Sequence, residues 1–372
     1  MAGIPECPDC RRPLEAISEK NYFFRLSKYQ AWLKAHWEKH PDGLLPSIRR
    51  NEVLSLLSEP IPDLCVTRPR ARLAWGIEVP FSKDHVTYVW FDALINYISA
   101  VGYGSDETSL ARLWPADLQM VGKDILRHHA VYWPILLKAL DLEPPRRLFA
   151  HGWWLMGGEK ISKSRGKVVE PLSLIDRYGV DGYRYFLLRE VPFGMDGVYS
   201  EEAFILRFNS DLANDLGNLV HRSLTMVEKY FDGVVPKIGP LESLDEPLIA
   251  LAKATPGSVH EAMLRLDLSG ALGSIWRLVN AANKYIESSA PWTQSRAGRL
   301  DRIQTILYHL MEILRITSIL VFPFIPETGR RIRRQLGLEG PSEDVRMDAA
   351  AWGGTQPGVR VCKEAPLFPR IE

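Results

Sequence analysis

From residue 85 to residue 152 short runs of β-branched and aromatic residues alternate with longer helical stretches, a pattern that few architectures can absorb. The run from His85 to Asp92 (HVTYVWFD) reads as a buried strand that ends in an acid and passes directly into a helix over 93–101. Leu118 to Asp124 reads as a second strand turning at Gly122, a helix follows over 125–140, and Arg147 to Gly152 reads as a third strand. Strand, helix, strand, helix, strand with connections this short predicts a parallel α/β sheet. Such sheets bind ligands beyond the carboxyl ends of their strands, which nominates Trp90 to Asp92, Gly122 to Asp124 and His151-Gly152.

The flanks read differently. Phe23, Leu26, Tyr29, Trp32 and Leu33, then Ile48, Val53, Leu54 and Leu57, predict helix from Asn21 to about Leu57, and Cys65-Val66-Thr67 and Trp75 to Pro80 predict short strands. After about Glu201 the pattern becomes that of a helical bundle: Phe208, Leu212, Leu216, Leu219, Met226 and Tyr230 form one stripe, and segments near Leu248, over 264–286 and over 303–321 continue it. Pro323 and Pro326 end the last long helix, a basic helix follows near Ile332 to Leu336, and the tail from Gly340 is loop-rich.

A chain of 372 residues with 46% apolar residues has ample core for two or three domains. Its net charge of +1 neither demands nor excludes nucleic acid, which only local clustering can argue, and cations do cluster at Lys160 to Lys167 and Arg330 to Arg334. No window of about 18 uncharged apolar residues occurs, so a soluble cytoplasmic protein without membrane contact is expected. Four cysteines are too few for a disulfide framework. Cys7 and Cys10 have the C-x-x-C spacing of half a tetrahedral zinc site; Cys65 and Cys362 stand alone, and His36 and His40 fit a helix surface, so the pair reads either as a half-site or as a plain chain terminus.

The segment Gly157 to Lys167 (GGEKISKSRGK) carries almost nothing that can be buried, so it reads as a surface loop. Ammonium groups, hydroxyls and glycine-freed backbone N–H groups are all phosphate ligands, which makes a polyphosphate the natural guest and a solvated hairpin tip the plain alternative. The order Lys160-Ile161-Ser162-Lys163-Ser164 resembles the second signature loop of class I aminoacyl-tRNA synthetases.

Further blocks, in order, resemble those of methionyl-tRNA synthetases: Tyr88-Val89-Trp90-Phe91-Asp92-Ala93, Gly122-Lys123-Asp124-Ile125, His129-Ala130-Val131-Tyr132-Trp133-Pro134, Asn218-Leu219-Val220-His221-Arg222, Ala290-Pro291-Trp292 and Pro366 to Arg370. The resemblance spans essentially the whole chain. It implies an α/β fold made of the C-terminal half of a Rossmann-type catalytic domain and an α-helical bundle anticodon-binding domain: 1–84 a remnant of a connective insertion, 85–155 the catalytic half, 156–200 the Lys-Ser loop and stem-contact region, 201–372 the anticodon domain and tail. It further implies a methionine pocket of Trp90, Ala93, Leu94, Tyr97, Ile125 and His129, and adenosine contacts from Gly122, Lys123, Asp124, His151 and Gly152. ATP with Mg²⁺ would meet Lys160, Ser162, Lys163 and Ser164, with Lys163 the main cation, and Asn218, Arg222 and Trp292 would read the anticodon of tRNA(Met). A structural Zn²⁺ would take Cys7 and Cys10 as half its ligands. Without the resemblance, Trp90 and Tyr97 read as core aromatics and Asn218 and Arg222 as ordinary surface residues.

The family's other signature, His-x-Gly-His, is absent from the chain, and His128 stands where the family commonly has Phe. The sequence reads as beginning inside the connective insertion, so weak stand-alone activity is expected. Three explanations are open: a truncated reading of a complete enzyme, one half of a split synthetase joined by an upstream polypeptide, or a non-catalytic tRNA-binding fragment. A class I synthetase for leucine, valine or cysteine fits less well, given the Trp90 and Trp292 blocks, and a monomer is expected.

Overall fold

A computed structural model describes residues 18–156, 170–338 and 340–372, together with the backbone of 159–160. Cys7, Cys10, Ser162, Lys163, Ser164 and the side chain of Lys160 therefore lie outside the described residues. The chain divides into two compact units, Met1–His151 and Gly152–Glu372.

In the first unit β1 (Phe23–Phe24) is followed by a 3₁₀ turn (Leu26–Tyr29) and α1 (Gln30–Lys39). Leu33 and Trp37, one turn apart, form the buried stripe of α1, and the Trp37 indole N–H donates to the Ala130 carbonyl at 2.9 Å. β2 (Leu44–Leu45) and α2 (Ser47–Leu56) come next. The Gln30 amide clamps the far end of α2, donating to the Leu57 and Glu59 carbonyls and accepting from Ile61 N–H. The predicted helix over 21–57 is thus two helices with a strand between them. That strand, only two residues long, pairs parallel with a partner about a hundred residues away, which no local periodicity can announce.

β3 (Leu64–Cys65) pairs with β1, and β4 (Thr67–Pro69), β5 (Glu78–Val79) and β6 (Ser82–Thr87) form a separate antiparallel sheet of order β4-β6-β5. This corrects the expected strand from His85 to Asp92. Its first part belongs to β6, which buries only Val86 and lies outside the parallel sheet; Trp90, Phe91 and Asp92 lie in the first turn of α3 (Val89–Ser99). The aromatic run favours a strand locally, but Leu94 and Ile98 continue it at helical spacing, and Asp92 suits the positive end of the helix. Only Glu78–Val79 of the expected 75–80 strand is paired.

α4 (Glu107–Leu113) is capped by Asp106, which accepts from the N–H groups of Thr108 and Ser109. β7 (Gln119–Gly122) leads through a 3₁₀ turn (Lys123–Ile125) and a π-helical segment (His128–Tyr132) into α5 (Trp133–Ala139), and β8 (Leu148–His151) closes the unit. The parallel sheet runs β2-β8-β7, so the strands expected over 118–124 and 147–152 are both in it.

In the second unit β9 (Trp154–Met156) pairs antiparallel with β10 (Glu159–Lys160) and parallel with β11 (Gly197–Val198). α6 (Pro171–Tyr178) and α7 (Val180–Arg189) lie between β10 and β11 in sequence. Then come α8 (Glu201–Arg207), a π-helical segment (Phe208–Gly217), α9 (Asn218–Phe231), α10 (Glu246–Leu264), α11 (Leu268–Ser289), α12 (Pro291–Arg296), α13 (Leu300–Val321) and α14 (Pro326–Gln335). The π segment rotates the buried stripe: Leu212, Leu216 and Leu219 are buried as expected, but Leu224 and Val227 carry it onward in place of Met226 and Tyr230.

α13 is the axis of this bundle and, from Arg302 onward, is buried on nearly every face, including the charges of Arg302, Glu312 and Arg315. Glu312 bridges Arg315 (2.7 and 2.8 Å) and accepts from the N–H groups of Gly353, Gly354 and Thr355, which pins the tail. Burial alone would raise the Glu312 carboxyl; Arg315, Thr355 and the Gly353 amide outweigh it and hold it below the usual range. The Arg330 to Arg334 cluster is also structural. Arg330 pairs with Glu343, Arg331 donates to the carbonyls of Ala365, Pro366 and Leu367, and Arg334 pairs with Glu364, so this cluster ties down the tail.

Candidate functional site

In α3 the helical repeat puts Trp90, Ala93, Leu94 and Tyr97 along one side. The Tyr97 hydroxyl lies 3.0 Å from His129 Nε2, and His129 Nδ1 lies 3.0 Å from the Ile125 carbonyl. A carbonyl can only accept, so Nδ1 carries a proton and donates to it. Burial holds the His129 imidazole below its ordinary value in spite of that bond, so the ring is neutral near pH 7, Nε2 accepts, and the Tyr97 hydroxyl donates. Burial also raises the Tyr97 phenol, which keeps its proton in place. The result is a fixed, uncharged relay from Tyr97 through His129 to Ile125.

Aromatic rings surround the relay. Trp90 stacks on His128 at 3.9 Å and 28°, and His128 meets Tyr132 edge-on at 5.3 Å. Tyr97 packs against Trp133 (5.9 Å), which in turn meets Trp114 (5.9 Å, edge-on). His128 therefore does the packing work of an aromatic ring beneath Trp90, and burial holds it below its ordinary value, with help from His129 and Arg127. Leu94 is fully buried with Ile98, Trp133, Leu136 and Leu137 and supports α3 from behind, while Ala93 and Ile125 are half-buried. Sequence reasoning overlooked Trp133 and Trp114 as parts of this shell; the i, i+4 spacing of His129 and Trp133 was the available signal. A cavity of 260 Å³ adjoins Tyr97 and Trp114 and reaches Gln119 and Met120 at the entry of β7.

Gly122 and His151 are register partners at the carboxyl ends of β7 and β8. A Cβ on Gly122 would sit 2.5 Å from Asp124 Oδ1 and 3.7 Å from the His151 ring. Glycine is thus what lets the Asp124 carboxylate fold over the strand end beside His151. Gly152, in the second unit, packs flush against the Met195–Asp196 backbone, with no room for a Cβ.

In the second unit Asn218 is exposed at the start of α9, directly after the π segment. Arg222, one turn on, pairs with Glu287 of α11 at 2.6 Å, and Trp292, the second residue of α12, is 36% exposed. Ala290, in the left-handed region at φ +43°, turns the chain from α11 into α12 and so sets where Trp292 points.

Residues 4–224 match the family described as tRNA synthetases class I (M), and residues 235–372 match the anticodon binding domain of methionyl tRNA ligase. The chain belongs to the methionyl-tRNA synthetase family. It is 49% identical over 373 residues to the methionine–tRNA ligase of Caldanaerobacter subterraneus subsp. tengcongensis and 47% identical over 370 residues to that of Clostridium acetobutylicum, covering 99% of this chain and 57% of each relative. Among solved structures, Mycobacterium tuberculosis methionyl-tRNA synthetase bound by methionyl-adenylate superposes with a TM-score of 0.92 at 41% identity, over 99% of this chain and 72% of that one. The apo form of the same protein gives 0.89 at 41% identity. The chain therefore spans a little over half the length of the curated relatives it matches.

As a methionyl-tRNA synthetase family member, the chain combines a Rossmann-type catalytic region with a helical anticodon-binding domain, as the sequence implied. The first unit brings Trp90, Tyr97, Ile125 and His129 together, and separately Gly122, Asp124 and His151. Among the described residues no group of three or more His, Cys, Asp or Glu is placed to hold a metal, and no helix is long and apolar enough to cross a membrane.

Proposed function

We propose that this chain supplies the methionine-holding, adenosine-holding and anticodon-reading parts of a methionine tRNA ligase, and that it forms methionyl-adenylate only together with the family's His-x-Gly-His sequence. The relay from Tyr97 through His129 to Ile125, set in its aromatic shell, carries this reading. A thioether needs no charged partner; it needs polarizable ring surface, at about 0.3–1.5 kcal/mol per sulfur contact. Because the relay commits its protons and is neutral, it offers an unbranched apolar side chain a rigid wall without a charge to desolvate.

At the strand ends Asp124 is assigned to accept from ribose hydroxyls, with Gly122 and His151 beneath the nucleoside, a reading supported by the proximity of these three residues at the carboxyl ends of β7 and β8. The reaction is in-line attack of the methionine carboxylate on the α-phosphate of ATP, expelling pyrophosphate; the nucleophile is already ionised, so no general base is needed. Catalysis is positioning plus stabilisation of charge on the leaving group, the part assigned to Lys160, Ser162, Lys163 and Ser164 with Mg²⁺. Lys163→Ala should lower adenylate formation about a hundredfold and leave methionine binding unchanged. Asn218, Arg222 and Trp292 are assigned to unstacked anticodon bases of tRNA(Met), where stacking contributes about 1–3 kcal/mol per base. Cys7 and Cys10 would hold zinc only with a second pair of ligands. The protein acts in the cytoplasm as a single copy.

The test is methionine-dependent exchange of labelled pyrophosphate into ATP, with leucine as control, by the purified chain alone and with the N-terminal part of the Caldanaerobacter relative added. Exchange only in the mixture, and only with methionine, supports the proposal. Exchange by the chain alone refutes the need for a complement. No exchange in either case, with anticodon stem-loop binding intact, favours the second reading, a non-catalytic tRNA-binding module, which the self-contained bundle core also suits.

A further inference from the structure

We infer that Glu287 is a positioning residue that makes Arg222 a base reader instead of a phosphate contact; the inference rests on the anticodon-reading assignment above. The Arg222 guanidinium Nη2 lies 2.6 Å from Glu287 Oε1, and both residues stand on fixed ground. Ser223 and Leu224 beside Arg222, and Tyr285, Ile286 and Ser289 around Glu287, are all buried, so the two backbones cannot drift apart. The arginine side chain is itself largely covered, with 29% of its surface exposed, while the Glu287 side chain is 60% exposed. The carboxylate therefore meets water on one side and holds the guanidinium on the other.

Two consequences follow for an RNA laid over this face. An unpaired guanidinium there would be drawn to the nearest phosphate, a contact that carries no sequence information. Paired with Glu287, its charge is offset, one of its five N–H donors is taken, and the remaining fork is held in one orientation, as bidentate recognition of a base edge requires. The exposed Glu287 carboxylate also opposes a phosphate approaching the Arg222 guanidinium. Glu287 acts through Arg222 and touches the reaction nowhere.

The test measures binding of the purified 372-residue chain to an anticodon stem-loop with CAU and to one with its first anticodon base changed, across a salt series, for wild type, Arg222→Ala, Glu287→Ala and Glu287→Gln. Glu287→Ala is expected to cut discrimination between the loops about tenfold, to tighten binding of both, and to steepen the salt slope by about one. Glu287→Gln keeps an acceptor for the guanidinium and loses the charge, so discrimination should return while the steeper slope stays; a purely structural role would not divide in this way. Melting midpoints near wild type establish that both variants fold. If Arg222→Ala abolishes discrimination and Glu287→Ala leaves discrimination and slope untouched, Glu287 does not position Arg222. If Arg222→Ala itself has no effect on discrimination, the reader assignment falls, and this inference falls with it.

Discussion

The two units bury their apolar surface in opposite ways. The helical unit is organised about α13, whose 22 residues include 19 buried ones, and its deep charges have partners: Arg302 with Asp245 at 2.7 Å twice over, Arg315 with Glu312. The first unit rests on a parallel sheet with strands of two to four residues. Its edge strand β7 pairs with β8 alone among the described residues, leaves Met120 exposed, and buries Gln119 with neither amide atom hydrogen-bonded. Open strand edges and unpaired buried amides are costly, and sheets of this type are normally covered on both faces. The second unit thus rests on a densely packed helical core, whereas the first keeps an open strand edge and an unbonded buried amide.

Substitutions in each unit test this contrast. The largest effect is expected at Glu312: Glu312→Ala leaves Arg315 buried and unpaired and frees the Gly353–Thr355 amides, costing about 3–5 kcal/mol. A lower urea midpoint, with new proteolytic cleavage near Gly353, would register it. Next comes pH. His309 is fully buried with neither ring nitrogen hydrogen-bonded, and burial pushes it down to about 4, Asp245 and Glu312 opposing and Arg302 assisting. Its folded value lies below its unfolded one, so the stability it contributes is complete above about pH 6.5 and is lost as pH falls through about 4. The loss is on the order of 3 kcal/mol, and His309→Leu should flatten that part of a stability–pH curve.

Gly122→Ala should displace Asp124 and reduce complemented pyrophosphate exchange about a hundredfold, seen mainly as a raised KM for ATP. Tyr97→Phe leaves His129 Nε2 without its donor in a buried site and should raise the KM for methionine about tenfold while kcat changes little. At the small end, Arg334→Ala removes an exposed pair with Glu364 and should leave the melting midpoint where it was.

Much of this was legible in the sequence because it is local. The strands at Gln119–Gly122 and Leu148–His151, the long helices and the site blocks all announce themselves within a few residues. What failed needed distant partners. β2 exists only because β8 lies beside it, and the HVTYVWFD run divides between β6 and α3 because antiparallel pairing stops at Thr87 and Leu94 and Ile98 find a core. Tyr97 and His129 were named from the family pattern, but the direction of their hydrogen bond follows only from the Ile125 carbonyl one turn away. The arginines from Arg330 read only as a cationic cluster because charge is visible in a sequence and the glutamates and carbonyls that engage them are not. Glu287 gave no sequence signal at all, since its partner lies on another helix.

Native-state hydrogen exchange on the isolated chain tests the contrast most directly. In the chain alone, α13 amides should exchange only through global unfolding, while those of β7, above all Met120 and Val121, should exchange orders of magnitude faster and slow when the N-terminal part of the Caldanaerobacter relative is added. Equal protection of β7 and α13 in the chain alone would contradict it.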